Sequence, residues 1–171
     1  MEFNTAKTSF AAELTQVAWV VKDIGMAENL FKSLIGAGNF RTPVTIRSQE
    51  FEGTYYGEPS DAEWLVSIVY SGGSFIELIQ PLSGQSIFKD YLDKNPAGGI
   101  QHIACTMPFT ELDEAISDMT EKGYPVITSL NMPVAKIVFV DTYKELGVVT
   151  ELMGLTEAGL AFVEKLKAGT I

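Results

Sequence analysis

The apolar residues change period several times along the chain. Residues 15–21 alternate loosely and are rich in β-branched types, which predicts a strand. Asp23 follows as a helix N-cap. Met26, Leu30 and Leu34 then recur at helical spacing, with Ala27 and Phe31 widening the stripe, until Gly36 and Gly38 stop the helix. Residues 43–48, 64–70 and 75–79 read as strands. The last two are joined by the hairpin turn Ser71-Gly72-Gly73-Ser74, and Pro81 ends the third. The second half repeats this order. Residues 100–107 predict a strand, and Thr110 with Asp113 resembles a capping box. Leu112, Ala115, Ile116 and Met119 line one face of the helix that follows, up to Gly123. Residues 125–129, 136–141 and 148–153 predict three further strands, with Lys144-Glu145-Leu146-Gly147 as the last turn.

The two halves also echo each other in letters. Residues 16–21 return as 102–107, and Ile76-Glu77-Leu78-Ile79 returns as Thr150-Glu151-Leu152-Met153. Each echo carries a residue able to hold a metal: Gln16 and Glu77, then His102 and Glu151. The separations are 86 and 74 residues, so the second unit is 12 shorter. The acidic, aromatic segment 49–63 accounts for the difference, as either a lid or a solvated insertion. The predicted organisation is a βαβββ unit at 14–82, a bridging helix and linker at 83–99, a second βαβββ unit at 100–155, and a C-terminal helix at 156–171. The helix stripe Leu160, Val163 and Leu166 suits either the core or a dimer contact. The fold class is α+β, two tandem units around a shared, cupped mixed sheet.

Composition narrows the function. A net charge of −10 argues against nucleic acid, because phosphate neutralisation needs a basic surface. No apolar run reaches the length of a membrane span. Residues 1–7 lack the pattern of a secretory signal, and the single Cys105 excludes an intrachain disulfide, so a cytoplasmic location is expected.

The four echoed residues sit mid-strand between apolar neighbours. A carboxylate there costs several kcal/mol, roughly, unless paired or metal-bound. By alternation Glu77 and Glu151 point away from Leu78 and Leu152, towards the inside of the sheet. One imidazole, two carboxylates and one amide suit a single divalent ion: zinc, nickel, cobalt, manganese or iron. The aromatic residues Trp19, Tyr55, Tyr56, Trp64 and Tyr70 suggest a roomy apolar pocket.

On these residues the chain resembles the vicinal oxygen chelate superfamily, the glyoxalase fold, over about 14–155. The stretches 76–82, 86–92 and 98–104 are similar to methylmalonyl-CoA epimerases, whereas the Gln16/Glu77/His102/Glu151 set is like one class of glyoxalase I (lactoylglutathione lyase). The resemblance implies proton abstraction next to a carbonyl with a metal-stabilised enolate. It implies Glu151 as the first candidate base, Glu77 as the second, and an acyl-CoA or other carbonyl compound as substrate. A homodimer is expected. The chain departs from epimerases in three places. Gln16 stands where they carry His, residues 64–70 contain no carboxylate, and residues 131–135 lack their glycine- and histidine-containing segment. A metal-free binding protein of the resistance type is the reading outside enzymes. Extradiol dioxygenase chemistry uses two histidines, and this chain has one.

Overall fold

The computed structural model describes residues 10–171. The stretch 1–7, read above for a secretory pattern, lies outside the described residues. The first half runs β1 (Glu13–Val20), α1 (Ile24–Ile35), β2 (Val44–Arg47), a small hairpin of β3 (Thr54–Tyr55) and β4 (Glu58–Pro59), then β5 (Glu63–Ser71) and β6 (Ser74–Ser83). Helix α2 (Ile87–Lys94) bridges to β7 (Gly99–Pro108), α3 (Leu112–Glu121), β8 (Val126–Asn131), β9 (Ala135–Val140), the one-turn helix α4 (Tyr143–Leu146), β10 (Val149–Leu155) and α5 (Glu157–Lys167). All ten strands form one curled sheet in the order β2-β5-β6-β1-β7-β10-β9-β8-β3-β4.

The two halves meet through β1 and β7, which pair antiparallel with Val17 opposite Ile103, Gln16 opposite Ala104 and Ala18 opposite His102. These are the echoed positions, so the sequence repeat maps onto a local two-fold between the strands. The pairing slips at two places: Thr15 is extra on β1 and Gln101 is extra on β7. Each bulge falls one residue before an echoed polar residue, Gln16 or His102. A bulge re-aims the side chains beside it, which is why alternation along residues 15–21 looks loose.

Several local expectations hold in atomic terms. Asp23 caps α1 by accepting from Met26 N–H at 2.8 Å. The Ser71–Ser74 turn has φ of 62° at Gly72 and 93° at Gly73, the left-handed pair that a two-residue hairpin requires. Two caps not read from the sequence join them: Ser86 caps α2 and Thr156 caps α5, each accepting a backbone N–H at 3.1 Å.

Other expectations are corrected. Strand β6 runs through Pro81 to Ser83, because a bulge opposite Glu63/Trp64 removes the need for the missing N–H. Thr110 caps nothing. The chain enters α3 through a 3-10 turn (Phe109–Glu111), and Leu112 is wedged against Gly154 of β10. In α1 the stripe Met26, Leu30 and Leu34 faces outward, at 56–73 % exposed. The helix docks instead through buried Ile24 and half-buried Phe31, whose ring meets Trp19 edge-on at 5.2 Å.

The segment 49–63 is neither lid nor solvated insertion. It turns at Tyr56 and Gly57, both in left-handed backbone, and adds a strand to the far half: Thr54 pairs with Ser129 and Tyr55 with Thr128. Tyr55 donates its hydroxyl hydrogen to Asp90 of α2, and Asn131 donates to Glu52 at 2.8 Å. The segment thus fastens the edge of one half to the edge of the other and curls the sheet. Among the described residues no helix is long and apolar enough to cross a membrane.

Helix α5 packs on both β10 and β5, across the concave side of the sheet. Its seat is a backbone contact: a Cβ on Gly159 would lie 2.0 Å from the carbonyl oxygen of Val134. Gly159→Ala is therefore expected to lift α5 from the sheet and cost about 1–3 kcal/mol. Urea unfolding and hydrogen exchange read this, with faster exchange confined to α5; unchanged α5 protection would refute the contact.

Candidate metal centre

The four central strands each contribute one echoed residue: Glu77 from β6, Gln16 from β1, His102 from β7 and Glu151 from β10. All four come together inside the curl. Gln16 Nε2 donates to Glu77 Oε2 at 3.0 Å and to Glu151 Oε2 at 3.4 Å. His102 Nε2 lies 3.4 Å from Glu77 Oε2 and 3.2 Å from Glu151 Oε2. Two nitrogens and two oxygens therefore alternate around a small ring. His102 is fully buried, Glu151 is 3 % and Gln16 4 % exposed, and Glu77 opens slightly to the interior.

The register explains why these side chains fit. Ala18 lies between Glu77 and His102 on the neighbouring strands, and Ala104 lies between Gln16 and Glu151. Both alanines are fully buried. A larger side chain at either place would occupy the space between the polar groups. Gln101, the extra residue on β7, accepts from His102 Nδ1 at 2.7 Å. That bond fixes Nδ1 as the protonated nitrogen and turns Nε2 towards the carboxylates. Phe88 and Phe139 hold the ring from the sides, at centroid distances of 6.1 and 5.1 Å. The alanines, Gln101 and the aromatic clamp were not read from the sequence. The only signal of Gln101 was its place beside His102, and the bulge that brings it into play is invisible in an alternation pattern.

Electrostatically the cluster is under tension. Burial pushes Glu77 up from the usual carboxylate range, and His102 holds it back. Burial alone would lower His102, but the adjacent Glu151 and Glu77 outweigh it and push the imidazole up to about 9. His102 Nε2 is nonetheless a buried polar atom without a hydrogen bond of acceptable geometry. Such atoms are rare and call for an ion, a water or a ligand. The ligand atoms of Glu77, His102 and Glu151 lie within 4.8 Å of one another. Atoms coordinated at about 2.0–2.2 Å to one ion stand roughly 3.0–3.5 Å apart, and the ring edges here are 3.0–3.4 Å. The residues fit a divalent cation. Gln16 would meet it through its amide oxygen after a half-turn of the amide, an exchange that leaves the side-chain shape unchanged.

The centre opens into a cavity of about 580 Å³ that α5 roofs. Gln16, Glu77 and Glu151 line it, with walls from Val66, Ile68, Phe75, Ile137 and Met153 and a roof of Leu160, Phe162, Val163 and Leu166. Of the aromatic residues expected around a pocket, only Trp64 lines it. Trp19 packs on the α1 side against Phe31, Tyr70 meets Phe75 at a tilt, and Tyr55 and Tyr56 belong to the hairpin. Segment 49–63 contributes only Phe51.

A family model described as the Glyoxalase/Bleomycin resistance protein/Dioxygenase superfamily matches residues 15–139. Among solved structures the chain is similar to a hypothetical protein from Bacillus halodurans C-125, with a TM-score of 0.65 and 21 % identity over 86 % of this chain and 96 % of that one. It is similar to methylmalonyl-CoA epimerase from Mycobacterium tuberculosis, with a TM-score of 0.62 and 19 % identity over 93 % and 97 %. A Streptomyces coelicolor methylmalonyl-CoA epimerase in complex with 2-nitronate-propionyl-CoA gives 0.59 and 21 % over 87 % and 97 %. At these identities the likeness concerns the fold. No curated protein matches the sequence.

The raised His102 pKa gives a pH prediction. The folded protein binds this proton more tightly than the unfolded chain, so the stability it contributes is complete below pH 6.5 and is lost as pH rises through about 9. Chelator-treated protein should lose a few kcal/mol of unfolding free energy over that window, on the order of 1.4 per pKa unit. Urea titrations at stepped pH measure it. His102→Gln should flatten the slope, and a flat wild-type curve would show that the cluster does not hold the proton.

Proposed function

The chain belongs to the Glyoxalase/Bleomycin resistance protein/Dioxygenase superfamily, and from that premise we propose that it is a divalent-metal-dependent isomerase or epimerase that moves a proton at a carbon next to a carbonyl. The observation that carries this reading is the buried His102 Nε2, left without a hydrogen bond while facing two carboxylate oxygens. A metal-free binding protein has no evident use for that arrangement, which is costly to bury.

Glu77, His102, Glu151 and the amide oxygen of Gln16 would hold the ion. When bound, a divalent cation supplies Lewis-acid stabilisation of negative charge developing on a substrate oxygen. The proton work falls to the chain. Strand β5 offers the cavity only Trp64, Val66 and Ile68, so no third carboxylate enters from that side. Glu13 and Glu164 also line the cavity, but beside Lys167, so the acid and base are taken to be the two carboxylates of the centre, carried on β6 and β10 at either side of the local two-fold. Glu151, loosened from the ion, would be the base, and Glu77, on the other side, would return the proton. Two carboxylates flanking one substrate carbon are what an inversion of configuration needs. Gln101 keeps His102 in one tautomer, and the apolar walls and α5 exclude water from the reacting carbon.

Among substrates, an acyl-CoA ester is the first to test, since the similar Streptomyces structure is a complex with 2-nitronate-propionyl-CoA. The amide at Gln16 keeps a glyoxalase-I-like lyase as the second reading. The homodimer expected from the sequence goes with this proposal, and sedimentation equilibrium reads it as twice 18.7 kDa.

Protein purified from metal-supplemented culture should carry about one divalent ion per chain by elemental analysis, and His102→Ala should carry none while retaining its circular dichroism. Wild-type metal content in that variant would sink the site assignment. Turnover of methylmalonyl-CoA against the methylglyoxal–glutathione hemithioacetal separates the two enzyme readings. Glu151→Gln should lower kcat by about a hundredfold or more with little change in KM. An unchanged kcat would remove Glu151 as the base.

A further inference from the structure

The chain has two arginines, and they are treated differently. Arg47 lies between Glu50 and Glu63, each 3.4 Å away, and is not part of the cavity wall. Arg41 does line the cavity. Among the described residues no carboxylate comes within ion-pair distance of it, and its guanidinium lies over the ring of Phe162 on α5, 5.1 Å from the centroid. The lysines without an ion-pair partner among the described residues, Lys22, Lys94, Lys144 and Lys165, are exposed to water, whereas Arg41 is half-buried at an apolar cavity wall. A cation held there without such a partner calls for an explanation.

Its position is also fixed. Arg41 precedes β2, yet its N–H donates to Ile68 O at 2.9 Å, and the Ser67 hydroxyl lies 3.1 Å from its carbonyl oxygen. The backbone is therefore pinned to β5, and the side chain is steadied by Phe162 above. A guanidinium lying over a ring still has N–H donors to offer for planar, two-point recognition of a carboxylate. The other cation at the cavity, Lys167, already holds Glu164 at 3.0 Å.

We propose that Arg41 is the anion-recognition residue of this cavity, and that the substrate is a carbonyl compound with an apolar body and a carboxylate of its own that pairs with Arg41. This rests on the proposed function for the reacting carbonyl, which sits by Glu77 and Glu151. The carboxylate recognition itself does not need the metal. The apolar body lies against Val66, Ile68 and Phe75 under α5, and the charge at one end and the reacting carbon at the other fix its direction.

Octanoate and octanamide serve as probes that differ in charge at nearly constant shape. Calorimetric titration into chelator-treated full-length protein removes any contribution from a bound ion. Octanoate is expected to bind about ten- to a hundredfold more tightly than octanamide. Arg41→Met, which keeps an apolar stem over Phe162, should abolish that preference while leaving octanamide affinity unchanged, and Arg47→Met should leave both alone. Equal binding of the two probes by the wild type overturns the proposal before any variant is made, and so does a preference that survives Arg41→Met. Zinc retention is measured in parallel. Loss of zinc binding in the wild type would sink the metal reading without touching the carboxylate preference, and retained zinc without that preference would sink only the role of Arg41.

Discussion

The antiparallel pairing of β1 with β7 about a local two-fold is the constraint from which the rest of the site follows. It sets Gln16 opposite Ala104 and Ala18 opposite His102, and the parallel partners β6 and β10 then bring Glu77 beside Ala18 and Glu151 beside Ala104. A slip of one residue would send these side chains to the helix-covered face. The two bulges, at Thr15 and Gln101, secure the arrangement from both ends, and the one at Gln101 supplies the hydrogen bond that orients the histidine.

What this register assembles is unfavourable in isolation. An imidazole nitrogen is brought within 3.2–3.4 Å of an oxygen of each of two carboxylates, in a site flanked by Phe88, Phe139 and the cavity walls. The carboxylates push the imidazole pKa up against the effect of burial, and its Nε2 is left without a hydrogen bond. The rest of the fold holds this arrangement in place. The hairpin at Thr54–Pro59 fastens the two halves, Tyr55 reaches Asp90 on the bridging helix, and α5 closes the cavity from above. Polarity and apolarity are thereby separated by a few ångströms. The reacting groups sit at the floor, and of the two cations that line the cavity Arg41 has no ion-pair partner among the described residues, whereas Lys167 holds Glu164.

Much of this was legible in the residues. The hydrophobic periods placed the βαβββ units, and local chemistry placed the Gly72-Gly73 turn and the cap Asp23, because those features depend on neighbours within a few positions. The echo of 16–21 in 102–107 marked Gln16 and His102 as equivalent, and mid-strand carboxylates between apolar neighbours marked Glu77 and Glu151 as facing inward. Those inferences needed only a repeat and the two-residue period of a strand.

Tertiary structure decided what depends on distant partners. The apolar stripe Met26, Leu30 and Leu34 looked like a core face, but Ile24 and Phe31 make the contact and the stripe faces outward. Segment 49–63 carried no period, so nothing in it told that Thr54 and Tyr55 would complete the far edge of the sheet. The seat of α5 depends on one glycine meeting one carbonyl 25 residues earlier. The sequence by itself determined the repeated unit and its four polar residues, since both are written in local spacing. The curl, the roof and the arginine at the cavity wall were decided only in three dimensions, because they arise where strand edges and a terminal helix from different parts of the chain meet.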